Sequence, residues 1–414
     1  MSSSAPQTVR RRQVFYIPGY DPFPPRRYRE LYRREAAEQA ALSGYQISFG
    51  DRDGAEGFGW RVTSFMDGSE TVTDIDILVW SDIVRASRPA SILRTYADLL
   101  RTAWIYLSTG ALFRLMRLRK GPVIAALYPV VVLLLQLQLA VLVGWIVWRV
   151  GQGVLPVRWS VTALPLCLLA GFLVLRAFQR FDGRFFAYYL MHDYAFSARQ
   201  WGAYDTAMVD RLEYFSRRIM AAQRSDVDEV LIVGHSSGAH LAISALSDVV
   251  RNRRVETPLP AGHTAAAPRL AALTLGQVVP MLTFLPRAAR LRADLSDLSH
   301  AEEVTWIDVS APGDGCCFAL CDPVAVSGQA GRAGAPVVFS AAFSESLSAA
   351  RWKSLRWRFF RLHFQYLCAF DRPRDYDYFQ ITAGPRSLAE RYAGREASPG
   401  RIAAPMTAYP DVTL

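Results

Sequence analysis

The stretch Gly234-His235-Ser236-Ser237-Gly238 sets a serine two residues from a glycine on either side. The apolar run 230–233 leads into it, and a helix-forming sequence follows. A serine hydroxyl is a poor nucleophile until a base takes its proton, and that base needs an orienting acid. The chain holds six histidines, of which His263, His300 and His363 come after the helix that follows the serine. Asp308, Asp314 and Asp322 lie in one segment between them, "VTWIDVSAPGDGCCFALCDPV". Acyl chemistry through a serine nucleophile is what such residues can do.

These side chains need elements to hold them. A strand that turns sharply into a helix lifts one side chain above the strand ends. The positions two before and two after it must lack bulk, because strand and helix nearly touch there. Gly234 and Gly238 fill those places around Ser236. Short β-rich runs recur at 14–17, 45–49, 75–80, 230–233, 270–275, 304–309 and 337–340, with helical stretches at 26–42, 205–223 and 239–250. This alternation predicts an α/β fold, a mostly parallel sheet with helices on both faces. The segments "GDRDGAEGFGW" and "SGQAGRAGAP" lack a strand–GxGxxG–helix setting and read as loops, not as a nucleotide site.

In that setting "GHSSGAHLA" resembles the elbow of the α/β-hydrolase superfamily, in particular its esterase, lipase and arylformamidase members. The resemblance implies the α/β-hydrolase fold, Ser236 as nucleophile, the Ser237 backbone N–H as one oxyanion donor, and the chain order serine, acid, histidine. The second donor in this superfamily comes from a loop after an early strand. Pro18-Gly19-Tyr20 follows the run 14–17, so the Tyr20 N–H is the candidate. The His-Gly-Gly-Gly motif of the hormone-sensitive-lipase-like branch is absent. His363 lies beyond the last strongly apolar run, where the family places its base, whereas His263 falls in a loop-like segment and His300 at the wrong end of a strand. Asp314 follows the run 304–309 by a short loop, the family position for the acid, with Asp322 as the alternative. His235 and His240 flank the serine and are expected to be structural. His192 is expected at the surface, and Asp74, Asp76 and Asp82 are expected to be structural.

The middle of the chain differs in kind. Residues 123–148 carry no charge over 26 positions, more than the roughly 20 residues a bilayer core requires. A second run, 159–175, is shorter, and the short connector makes the pair an expected transmembrane hairpin. Arg114, Arg117, Arg119, Lys120, Arg176, Arg180 and Arg184 flank the pair, against Arg149 and Arg158 in the connector. That asymmetry predicts a cytoplasmic location for both termini and the catalytic domain. Residues 92–118 mix apolar residues with arginine, fitting either an amphipathic surface helix or a helix of the soluble body. The expected organisation is a tail at 1–13, a discontinuous catalytic domain at 14–90 and 185–414, and an insertion at 91–184.

The net charge is +10, mostly from arginine. Anionic lipid is the expected partner, because the arginines crowd around the apolar runs and no nucleic-acid-binding signature is present. The opening segment has no apolar h-region and is not a secretory signal peptide. Five cysteines give no disulfide framework. Cys316, Cys317 and Cys321 lack a second ligand cluster at zinc spacing and read as small buried thiols. No metal or organic cofactor is called for. The expected activity is hydrolysis of carboxylic esters or thioesters of lipids or other amphiphiles at a bilayer. Alternatives are an acyltransferase using the same residues, or a non-catalytic membrane scaffold of hydrolase fold.

Overall fold

The computed structural model describes residues 8–52, 57–88, 91–154, 163–255 and 268–413. His263, the last part of the connector between the two apolar runs, and the start of the second run lie outside the described residues. The chain begins with β1 (Arg11–Ile17), α1 (Arg26–Ser43), β2 (Gln46–Gly50), β3 (Phe58–Met66), β4 (Ser69–Ile77) and α2 (Ser81–Ser87). Six helices follow without a strand: α3 (Ile92–Ser108), α4 (Ala111–Leu118), α5 (Lys120–Val154), α6 (Ala163–Arg180), α7 (Asp182–Phe185) and α8 (Ala187–Ala198). The chain then re-enters the sheet through α9 (Thr206–Gln223), β5 (Glu229–His235), α10 (Gly238–Val255) and β6 (Arg269–Leu275). Next come α11 (Pro280–Thr283), α12 (Ala289–His300), β7 (Val304–Ser310), α13 (Pro323–Val326) and β8 (Val337–Ser340).

The strands form one eight-stranded sheet in the order β2-β3-β4-β1-β5-β6-β7-β8. Only β3 runs against its neighbours; from β4 to β8 every pairing is parallel. Both faces are covered, so the central strands are apolar almost throughout, and every residue of β5 is buried. Alternate residues serve opposite faces. Val230, Ile232 and Trp306 join the core beneath α9, α10 and α12, while Leu231, Val233 and Ile307 join the one that contains Tyr28 and Tyr32 of α1.

Two boundaries differ from the sequence expectation. The expected tail ends sooner, because β1 begins at Arg11. The side chain of Arg12 is fully buried, donating to Glu229 at 2.6 Å and to the carbonyls of Gly384 and Arg386, each at 2.7 Å. A charge that reads as solvated in sequence is neutralised by a partner 217 positions away. The strand β3 has no counterpart among the expected β-rich runs, and its first three residues fall in the segment 50–60 that reads as a loop. Trp60, Val62, Ser64 and Met66 point inward, with Arg61, Thr63 and Phe65 between them, and the glycines before it mask that alternation.

The segment expected as an insertion is partly built into the body. Ile105 and Tyr106 of α3, Ala111, Leu115 and Leu118 of α4, and Val123 of α5 belong to the main core. The outer side of the same helices is apolar and open: Leu93 is 82% exposed and Trp104 66%. Beyond this anchor α5 and α6 leave the body as an antiparallel pair. A Cβ on Gly144 would lie 3.0 Å from the Cys167 carbonyl oxygen, and one on Gly171 would lie 3.1 Å from that of Ala140. Small residues thus let the two backbones approach closely. Among the described residues one helix, α5, is long and apolar enough to cross a membrane.

Candidate active site

Ser236 sits between β5 and α10 with φ 57°, a left-handed conformation that L-residues adopt only under constraint. Its amide donates to the Leu275 carbonyl at the end of β6, at 2.9 Å, which fixes the turn to the sheet. A Cβ on Gly234 would fall 2.7 Å from both Ala239 Cα and Ala242 Cβ. One on Gly238 would collide with the Ile17 carbonyl oxygen and lie 2.5 Å from that of Pro18. Both positions are therefore closed to any side chain. The two glycines let the helix pack against β5 and against the end of β1, leaving Ser236 at the crest.

The segment after β1 passes directly over this crest. A Cβ on Gly19 would be 3.1 Å from Ser236 Cβ and 3.5 Å from Ser236 Oγ. The amides of Tyr20 and Ser237 have no acceptor among the described residues, and both residues line the cavity that holds Ser236. The loop is fixed from outside: the Tyr189 hydroxyl donates to the Tyr20 carbonyl, and the Tyr20 hydroxyl hydrogen-bonds with Ser87 at 2.7 Å.

His363 closes a short helix, Phe359–His363, and lines the same cavity of about 90 Å³. Its Nδ1 is 2.7 Å from Asp314 Oδ2, in the loop after β7. Asp314 is buried, and both its oxygens are engaged. Oδ2 also accepts from the Tyr366 hydroxyl at 3.1 Å, and Oδ1 accepts from the Cys316 amide at 2.9 Å. Burial pushes the Asp314 carboxyl up, but His363 and these hydrogen bonds outweigh it and hold the group below its usual value. Asp314 is thus a charged partner for the imidazole. Ser236 Oγ itself has no hydrogen-bond partner among the described residues, and it faces the same cavity as His363.

Asp322 goes elsewhere. It caps α13, accepting from the Val324 and Ala325 amides at 2.9 and 3.1 Å, and pairs with Arg401. Asp308 is buried within β7 against Thr274. His300 is exposed and accepts or donates only within its own helix. His240 packs on Tyr204, with its Nδ1 3.0 Å from that hydroxyl. Arg61 holds Asp74, Arg52 and Arg218 hold Asp76, and Arg211 holds Asp82. His192 differs from expectation: it is buried in α8, and burial pushes its imidazole down to about 4.

Three further residues surround the site, two of them, Tyr366 and Asp193, without any signal in the sequence. His235 packs at a tilt against His363 with ring centroids 4.8 Å apart, and its Nε2 lies 3.0 Å from the His363 carbonyl. Burial lowers its pKa to about 3, so the ring is neutral and donates that hydrogen bond. Tyr366 buttresses Asp314. Asp193 of α8 lines the cavity, and no hydrogen bond or ion pair engages its carboxyl among the described residues. Burial pushes that carboxyl up to about 7, against the pull of His363. Each contact joins residues far apart in the chain.

Asp314, Cys316 and His363 also lie close enough to share a cation, with ligand atoms within 4.8 Å of one another. The cluster is held together without one: the Asp314 oxygens accept from His363, the Tyr366 hydroxyl and the Cys316 amide.

Comparison with protein-family models, curated proteins and solved structures finds no match to this chain.

Proposed function

We propose that the chain is a membrane-anchored serine hydrolase that cleaves carboxylic esters or thioesters of lipids or other amphiphiles. One observation carries this: Ser236, held left-handed at a strand–helix turn, shares a cavity with His363, whose Nδ1 is bound to the buried Asp314. Ser236 Oγ attacks the carbonyl carbon and gives its proton to His363 Nε2, while Asp314 holds the Nδ1–H and balances the imidazolium. The oxyanion accepts from the amides of Tyr20 and Ser237. As the tetrahedral species collapses, His363 returns the proton to the departing alcohol or thiol, leaving an acyl ester on Ser236. Water then loses a proton to His363 Nε2 and attacks the acyl carbon. The carboxylic acid departs as Ser236 regains its proton.

Membrane attachment is part of the same proposal. The apolar stretch of α5 is only 22% buried, unlike a core helix of a soluble protein. Pro122, in its first turn, lines the cavity of Ser236, so the helix begins at the wall of the site. With α6 beside it and the flanking arginines on the body side, the pair forms a hairpin that seats the cavity at the cytoplasmic face of an anionic bilayer. Apolar substrates concentrate there.

Hydrolysis of short p-nitrophenyl esters by the detergent-purified protein tests the chemistry. Ser236→Ala should abolish it and leave the melting temperature within a few degrees. Equal rates for the two proteins would end the proposal.

A further inference from the structure

A second cavity, of about 210 Å³, lies between α3, α4, the first half of α5 and α8. Leu99, Ala103, Leu115 and Val130 represent its wall, which is apolar almost throughout. The Tyr106 hydroxyl on that wall is spent on the Met281 carbonyl, at 2.9 Å. Such a space is unsuited to water, which needs two to four polar partners. An apolar cavity of roughly 150 Å³ stays dry and takes a benzene-sized guest.

Two features say what occupies it. Tyr194 and Met281 line this cavity and also the one that holds Ser236, so the two spaces adjoin at these side chains. Its wall also includes Leu107 of α3 and Leu127 of α5, 48% and 36% exposed, so it reaches the apolar outer side of the body. The cavity therefore runs from the lipid-facing side of α5 toward the nucleophile.

We propose that this cavity is the acyl-chain site: a linear alkyl chain enters between Leu107 and Leu127, lies between α3, α5 and α8, and presents its carbonyl past Tyr194 and Met281 to Ser236. The proposal rests on the hydrolase assignment and deepens it, because it makes the acyl half of the substrate a fatty chain and puts chain-length selection in the membrane-proximal helices. Met281 is flexible and Tyr194 can turn, so the partition opens without moving the sheet. Each methylene buried in the cavity should raise kcat/KM about fourfold.

The test uses the full-length protein in nanodiscs and two fluorophosphonates, one with an ethyl chain and one with an octyl chain. The octyl probe should label Ser236 at least tenfold faster than the ethyl probe. Ala103→Phe and Ala126→Phe, which fill the cavity, should each slow octyl labelling at least tenfold and change ethyl labelling less than threefold. Leu100→Phe, on the outer side of α3, should change neither. Octyl labelling undiminished in both filled variants would overturn the proposal. Irradiating the unmutated protein after labelling with an octyl probe tipped by a diazirine gives a readout independent of folding. Cross-links on α3, α5 or α8 are expected; a separate, open groove on the body is lined by Arg27, Arg88 and Phe360, and cross-links confined to it would also overturn the proposal. Failure of both probes to react counts against the hydrolase assignment itself, which separates the two.

Discussion

Asp314→Asn removes one charge and exchanges one acceptor for a donor, and the surroundings make both amide orientations costly. With its NH2 group at the Oδ1 position, the new side chain faces the Cys316 amide, which donates to Asp314 at 2.9 Å. A buried N–H is then unpaired, at about 1–3 kcal/mol of stability. With its NH2 group at the Oδ2 position, it faces His363 Nδ1 and the Tyr366 hydroxyl, now 2.7 and 3.1 Å away. The imidazole must then accept at Nδ1 and carry its proton on Nε2, where it cannot receive the proton of Ser236. In either orientation the imidazolium loses its counter-charge. Turnover should fall about 10³- to 10⁴-fold, which is roughly 4–5.5 kcal/mol of transition-state stabilisation. Asp322→Asn is the matched control. It removes the charge that pairs with Arg401 while an Asn oxygen can still cap α13, so it should lower stability by about 1 kcal/mol and leave kcat within twofold. Steady-state hydrolysis of a p-nitrophenyl ester, with a thermal melt of each variant, separates the effects. A loss of less than tenfold for Asp314→Asn, or a larger loss for Asp322→Asn, would refute the assignment of the acid.

Three further expectations follow from individual contacts. Gly238→Ala should fail to fold or lose most of its stability, because the added Cβ meets the carbonyl oxygens of Ile17 and Pro18; soluble, wild-type-like yield and melting would contradict the close approach. Burial raises the Asp308 carboxyl to about 8 in the folded protein, against about 3.9 unfolded, so its contribution is complete below pH 4 and is lost as pH rises through 8. Asp308→Asn should therefore melt higher than wild type at pH 9 but not at pH 4, and the reverse order would contradict the burial effect. If α5 and α6 span the bilayer, carbonate washing should not release the protein. A cysteine at Gln152 should react with an impermeant thiol reagent outside intact cells, and one at Ser3 should not; the opposite pattern would invert the topology.

Features governed by neighbours in the chain were legible from the residues alone. The turn around Ser236 is one: an apolar strand, two glycines and a helix are consecutive, and the backbone there takes the strained conformation the spacing demands. The parallel strands are another, since burial on both faces leaves unbroken apolar runs. What could not be read is what depends on distant partners. Arg12 looks like part of a basic tail until Glu229 is placed beside it. Asp193 and Tyr366 are unremarkable in sequence, and the fold alone brings them to the cavity or to the His363–Asp314 pair, as it brings His235 against His363. The amphipathic pattern of residues 92–118 fitted two settings, and both faces are used: one enters the main core, and the other is open and apolar. This also means that removing 91–184 would uncover the core at Ile105 and Leu115, so a test of the hairpin should cut only its distal half.

The most direct measurement is the mapping of a fluorophosphonate adduct by mass spectrometry on the purified full-length protein. A single adduct is expected, on the peptide containing Ser236. It should be absent from Ser236→Ala and form at least a hundredfold more slowly in His363→Ala. An unmodified Ser236 in folded protein, or an adduct on another residue that persists in Ser236→Ala, would contradict the assignment of this serine as the nucleophile.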